Sequence, residues 1–140
     1  MEIKLCTSAE DILKCWTVLL ELRPHLIQAI FVTTIQQMQQ EGYQLACIEE
    51  EGSAVAAIGF RYLQFLYNGK HIYIDDLSTL PSCRGKGYGA GLLQYVEALA
   101  LAKGYESVTL DSGHQRTTAH RLYLNEGFNI VAHHFSKSLN

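Results

Sequence analysis

Long apolar runs are absent from this chain of 140 residues; nothing approaches the ~20 uninterrupted residues of a membrane span. Its first residues, Met-Glu-Ile-Lys-Leu, lack the basic start and apolar stretch of a secretory leader. There is no surplus of positive charge either. A net charge of −3 argues against a general nucleic-acid face. Charged residues are too few, at 18%, and hydrophobic ones too many, at 48%, for a disordered chain. No linker, internal repeat or low-complexity segment interrupts it. One globular domain over residues 1–140 is expected, cytoplasmic, with neither nucleic acid nor membrane as a partner.

Metal and nucleotide signatures are missing too. Cys6, Cys15, Cys47 and Cys83 form no Cys-x-x-Cys pair, and their spacing matches no zinc site. No His-Glu-x-x-His occurs among the six histidines. No metal is expected, and the cysteines read as free thiols in a reducing compartment. A P-loop would need Ser or Thr after Lys86, where Gly87 stands, and the Gly-x-Gly-x-x-Gly fingerprint is absent. Asp111, Ser112 and His114 lie on one loop, where triad geometry is rare, and no Gly-x-Ser-x-Gly elbow accompanies them.

What is present is the stretch from Leu77 to Gly91, Leu-Ser-Thr-Leu-Pro-Ser-Cys-Arg-Gly-Lys-Gly-Tyr-Gly-Ala-Gly. A strand runs into a glycine-rich turn that opens an amphipathic helix. Glycines at 85, 87, 89 and 91 let backbone amides approach a ligand, and the helix start adds a positive dipole end. Arg84 and Lys86 add formal charge. The turn suits a pyrophosphate.

Periodicity places the other elements. Glu2 to Cys6 alternates as a short strand. Ser8 caps a helix carrying Ile12, Leu13, Trp16, Leu19 and Leu20. A second helix runs from about Leu26 to Gln40, with Ile27, Ile30, Phe31, Thr34, Ile35 and Met38 as its buried stripe. Tyr43–Glu49 and Ser53–Leu66 form a hairpin through Glu51-Gly52, and Asn68-Gly69 turns into the strand His71–Thr79. A helix over Gly87–Ala102, closed by Gly104, leads to a strand at Ser107–Leu110. A helix at Thr117–Asn125 and a strand at Phe128–Phe135 end the order, an α+β domain with a mixed sheet.

The turn's Arg84-x-x-Gly87-x-Gly89 resembles the acetyl-CoA pyrophosphate loop of the GNAT superfamily of N-acetyltransferases. The element order β-α-α-β-β-β-α-β-α-β is also that of the GNAT fold, so the resemblance covers essentially the whole chain. It implies a mixed, mostly antiparallel sheet flanked by helices, with acetyl-CoA as cosubstrate and no metal. By position, Leu77, Ser78 and Thr79 match the strand that receives the pantetheine arm. The backbone N–H at or near Leu77 would be the oxyanion donor. Arg84, Gly85, Lys86, Gly87, Tyr88, Gly89 and Ala90 match the pyrophosphate loop.

Acetyl transfer to an amine also needs a proton acceptor and a donor for the leaving thiolate. Asp75 and Asp76 are consecutive acids in an apolar strand, where alternation expects opposite faces. Each reads either as binding the amine or relaying its proton, or as a salt-bridge partner on the surface. Thr117 to Phe128 resembles the family's closing motif, Asn-x-x-Ala-x-x-Leu-Tyr-x-x-x-Gly-Phe, and Tyr123 matches the tyrosine that often protonates the CoA thiolate. A phenol of pKa ~10 stays protonated at neutral pH and can do so. Arg116 stands where the family has asparagine, so that contact is not carried over. His114 and His120 read as polar surface residues.

Two functions remain open from the sequence. One is an N-acetyltransferase acting on a small-molecule amine or a protein amino group by direct attack on acetyl-CoA. The other is a non-catalytic CoA-binding regulatory module, which would need the loop but not Tyr123. A homodimer is implied by the resemblance alone.

Overall fold

Two tight turns organise the sheet. In the computed structural model, which describes residues 1–140, Glu51 and Gly52 both take positive φ (53° and 79°). This left-handed pair matches the twist of the flanking strands. It joins β2 (Gln44–Glu50) to β3 (Ser53–Phe65), and a turn ending at Gly69 (φ 71°) leads into β4 (Gly69–Thr79). Lys4–Leu5 (β1) and Ser107–Leu110 (β5) complete a five-stranded sheet in the order β1-β2-β3-β4-β5. The first three pairings are antiparallel and β4–β5 is parallel. This is the mixed α+β sheet of the sequence expectation.

Three helices separate β1 from β2, where two were expected: α1 (Ala9–Lys14), α2 (Trp16–Leu22) and α3 (Gln28–Gln40). Ser8 caps α1, its Oγ accepting the Asp11 amide at 3.1 Å. The expected single helix breaks at Cys15, whose amide bonds Ile12 at 2.9 Å in a tighter three-residue turn before α2 starts. Phe31 and Ile35 of α3 are buried, but Ile27 and Ile30 are 61% and 54% exposed, so its buried stripe is narrower than its sequence pattern. Side chains from α1, α2, α3 and the β2–β3 hairpin share one core: Ile12, Val18, Leu19, Phe31, Leu45 and Ala57 among them. Trp16 meets Phe31 edge-on, with centroids 5.2 Å apart. Burying each large aliphatic there is worth about 1.5–3 kcal/mol. The next helix, α4 (Tyr88–Ala102), buries Leu92, Leu93, Val96 and Ala100. Gly104 (φ 71°) ends it, with the Tyr105 amide bonding back to Ala100 at 2.9 Å.

Residues 1–110 form one compact unit and residues 111–140 a second. The second holds α5 (Thr117–Asn125). The strand expected at Phe128–Phe135 does not form. Beyond Phe128 no amide reaches a backbone carbonyl, and Ile130, Val131 and Phe135 are exposed. An alternating pattern becomes a strand only where a neighbour completes the ladder.

Candidate active site

The strand β4 changes partners midway. Its pairing with β5 ends at Ile74↔Leu110, while pairing with β3 continues through Thr79. Residues 75–79 therefore present one open edge. Which backbone groups face it follows from one bond. The Leu80 amide donates to Val55 at 2.9 Å, so hydrogen-bonded pairing with β3 falls at Leu80 and, two residues back, at Ser78. By the same alternation, the N–H and C=O of Leu77 and Thr79 point out of the open edge. Ser78 is committed inward, its hydroxyl donating to the Val18 carbonyl at 2.7 Å.

The opening starts at a β-bulge. Gly59 lies opposite Asp76 and Phe60 opposite Ile74, which leaves Asp75 as the extra residue on β4. The bulge overturns the alternation expected for the acid pair. Both carboxylates enter one network. Arg61 donates from Nε to Asp75 Oδ2 at 2.9 Å, and its guanidinium lies 5.4 Å from the Tyr43 ring centroid. The Tyr43 hydroxyl donates to Asp76 Oδ2 at 2.9 Å. Arg23 closes the other side, with Nε 3.1 Å from Asp76 Oδ1 and Nη2 3.0 Å from the Asp75 carbonyl.

The two acids are not equivalent. Asp76 is held through both oxygens. Asp75 Oδ1 is buried without a hydrogen-bond partner. Burial raises the Asp75 pKa above its ordinary value; Arg61 opposes this, and the Asp76 charge adds to it. The Tyr43 hydroxyl is pushed well up, by burial first and the Asp76 charge second.

The glycine turn follows β4 through a 3₁₀ turn at Pro81–Cys83. Gly85 and Gly87 have φ of 85° and 82°, and a Cβ at either would meet open space, so their conformation alone requires glycine. The amides of residues 85 to 90 find no backbone carbonyl, the next bond being Gly91 to Gly87 at 3.0 Å. These donors stand at the start of α4, where an anion is favoured. Glu50 of β2 already engages side chains of this turn. Lys86 Nζ lies 3.1 Å from its carboxylate, and the Tyr88 hydroxyl donates to it. Those contacts hold the Glu50 pKa down, Tyr88 first and Lys86 second. Arg84 reaches Glu21 at 3.7 Å.

In the second unit, Tyr123 lies on α5, its ring 6.0 Å from Phe128 at 62°. The Phe128 amide bonds the Tyr123 carbonyl at 3.0 Å, so the Leu122-Tyr123…Gly127-Phe128 motif is one helix-end turn. His120 Nε2 contacts the Gly113 carbonyl at 2.8 Å.

Sequence reading did not single out Arg23, Tyr43, Gly59, Arg61 or Glu50. Gly59 carried the one available signal, a lone glycine within an apolar strand, which marks a bulge or a close approach.

An open strand edge lies beside a glycine turn whose free amides open a helix, a set of donors that can receive an extended chain and an anion. Residues 9–128 match the acetyltransferase (GNAT) family. The chain belongs to that family and is an acyl-CoA-dependent N-acetyltransferase whose acceptor is an amine. It is 34% identical over 139 residues, covering 98% of both chains, to YhdJ of Bacillus subtilis, itself named an N-acetyltransferase. Aminoalkylphosphonate N-acetyltransferase of Salmonella typhimurium is 34% identical over 98 residues, 69% of this chain and 62% of that one. The fold is shared with a putative acetyltransferase from Agrobacterium tumefaciens, at TM-score 0.83, 19% identity and 99% coverage of each chain. It is shared too with the aminoglycoside N-acetyltransferase AAC(6')-Iy, bound to a CoA bisubstrate analogue, at TM-score 0.83, 14% identity, and 99% and 97% coverage.

Proposed function

We propose that the chain acetylates a small primary amine from acetyl-CoA by direct attack, with no covalent enzyme intermediate. The observation that carries this is the open edge of β4 at Leu77 and Thr79, followed at once by the unpartnered amides of residues 85–90. An extended pantetheine arm fits such an edge as an added strand, and a pyrophosphate fits such a turn. Leu77 and Thr79 would hold the arm, with Ser78 fixing the strand between them. Arg84, Gly85, Lys86, Gly87, Tyr88, Gly89 and Ala90 would hold the diphosphate.

The chemistry then divides among few groups. The amine nitrogen attacks the thioester carbonyl carbon, forming the N–C bond. The Leu77 N–H donates to the oxyanion that develops there. The C–S bond breaks, and Tyr123 gives the departing thiolate its hydroxyl proton. Asp75 takes the proton the amine must lose. Its unpartnered oxygen and raised pKa suit it better than Asp76, which positions the strand through Arg23 and Tyr43. A cationic amine would be drawn to this acid pair. The chain's single-domain organisation, a cytoplasmic location and homodimerisation remain parts of the same proposal.

The test is calorimetric titration with acetyl-CoA and CoA, followed by an amine screen that reads CoA release. Micromolar binding that Gly87→Glu abolishes in a folded variant supports the loop assignment. No binding to either ligand sinks it. Binding without amine-dependent CoA release for any amine class would leave a CoA-binding module instead.

A further inference from the structure

Away from the acetyl-transfer site, the core holds three thiols that no step of that reaction uses. Cys6 follows β1, Cys15 joins α1 to α2, and Cys47 lies in β2. All three are at most 1% exposed, and all are free. Their sulfurs lie within 4.8 Å of one another, with Cys6–Cys47 at 3.4 Å and Cys6–Cys15 at 3.8 Å. Local sequence spacing hides this convergence, because each cysteine arrives on a different element.

We infer that Cys6, Cys15 and Cys47 form a buried three-coordinate site for a soft monovalent cation, copper(I). A trigonal ion with metal–sulfur bonds of about 2.3 Å, the length zinc thiolates adopt, sets its sulfurs about 4.0 Å apart. Two separations, 3.4 and 3.8 Å, lie just under that value and the third is within 4.8 Å, so loading needs only sub-ångström shifts. No histidine nitrogen or carboxylate oxygen joins the cluster, so a tetrahedral zinc ion lacks its fourth ligand and a hard cation lacks its oxygens. An all-sulfur set selects a soft ion.

The ligands are also preorganised. The Cys6 amide bonds Leu45 at 2.8 Å, and Cys47 is fixed in ladders with both Lys4 and Ala57. Cys6 lines a surface cleft of about 390 Å³ with Thr7, Gln39 and Tyr43 among its other walls. A cuprous glutathione complex would deliver the ion by ligand exchange. With a carrier of three glutathione thiolates per copper, three Cu–S bonds to the carrier break as three to the protein form, the three protein S–H protons pass to the three released sulfurs, and no electron moves.

The experiment titrates the full reduced chain with copper(I), anaerobically, against a cuprous chelator, and counts sulfur neighbours by X-ray absorption. The expected result is one copper per chain bound by three sulfurs at about 2.3 Å. Cys83→Ala keeps that stoichiometry. Cys15→Ala and Cys47→Ala weaken binding by more than about a hundredfold, since even changes outside the ligand set cost ten- to a hundredfold. Loss of copper in Cys83→Ala, retention in folded Cys15→Ala or Cys47→Ala, failure to compete with the chelator, or two sulfurs in the wild-type chain overturns the assignment. The sulfur count on the wild-type chain decides the matter even if a core variant fails to fold.

Discussion

Replacing Gly59 with alanine should destabilise the protein through one contact. A Cβ at Gly59 would stand 1.8 Å from the Tyr43 hydroxyl oxygen and 2.3 Å from its Cζ. The phenol is buried at 1% exposure, under the Arg61 guanidinium and bonded to Asp76, so it has little room to tilt. Overpacking a core costs about 1–3 kcal/mol. Displacing the hydroxyl from the Asp76 carboxylate adds about 1.5–3 kcal/mol where the bond is lost. Part of each is recovered by relaxation, so we expect a net loss of about 2–4 kcal/mol. For a chain of this size that lowers the melting temperature by about 6–14 °C. Calorimetric melting of Gly59→Ala measures it, and Tyr43→Phe refines it. Removing the hydroxyl takes away the nearest atom but leaves Cζ, so the double variant should lose less than the two single losses added. A fall under about 3 °C, or strict additivity, would refute the steric argument.

Other perturbations follow from the same geometry. Tyr123→Phe should lower kcat about 10²–10⁴-fold while leaving CoA affinity within a factor of about two, read by steady-state kinetics and calorimetry; unchanged turnover removes Tyr123 from the reaction. Asp75 has a raised folded pKa, so its charged form costs stability, and that cost is absent while both states are protonated. It appears as pH rises through the ordinary carboxyl value towards the folded one. Urea unfolding of Asp75→Asn against wild type should therefore shift in the variant's favour as pH rises above the ordinary carboxyl value, and the opposite trend refutes the desolvation argument. Glu50→Gln should tighten CoA several-fold, because a diphosphate bound as proposed has to displace the Glu50 carboxylate from Lys86, a weak exposed pair whose loss still subtracts from binding. Weaker binding would mean that Glu50 orders the loop more than it competes with the ligand.

The sequence was most legible where structure is local. Thr117–Asn125 and Ser107–Leu110 fall where periodicity places them, and the turns at Gly52, Gly69 and Gly104 sit where glycine tolerates positive φ. The glycine turn was readable for the same reason: its amides, glycines and helix start are consecutive. Properties of pairing were not readable. The bulge at Asp75 exists only in the register of β3 against β4, so alternation sent the two acids apart where the structure joins them. Arg23, Arg61 and Tyr43 reach that pair from distant elements, and no spacing rule links them to it. The Phe128–Phe135 pattern failed for the converse reason, since it reads as a strand but has no ladder neighbour.

Glu50 gives the loop a resident counter-anion. Lys86 and Tyr88 are both engaged with it, so the diphosphate binding proposed above would be an exchange of one anion for another. The driving force is then a difference between a carboxylate and a diphosphate on the same donors, smaller than the loop's formal charge implies. An exchange also responds weakly to ionic strength, because salt screens the departing pair and the arriving one alike. In that proposal Lys86 would act in discrimination between anions, while the backbone amides, which bond no backbone carbonyl, would supply the affinity.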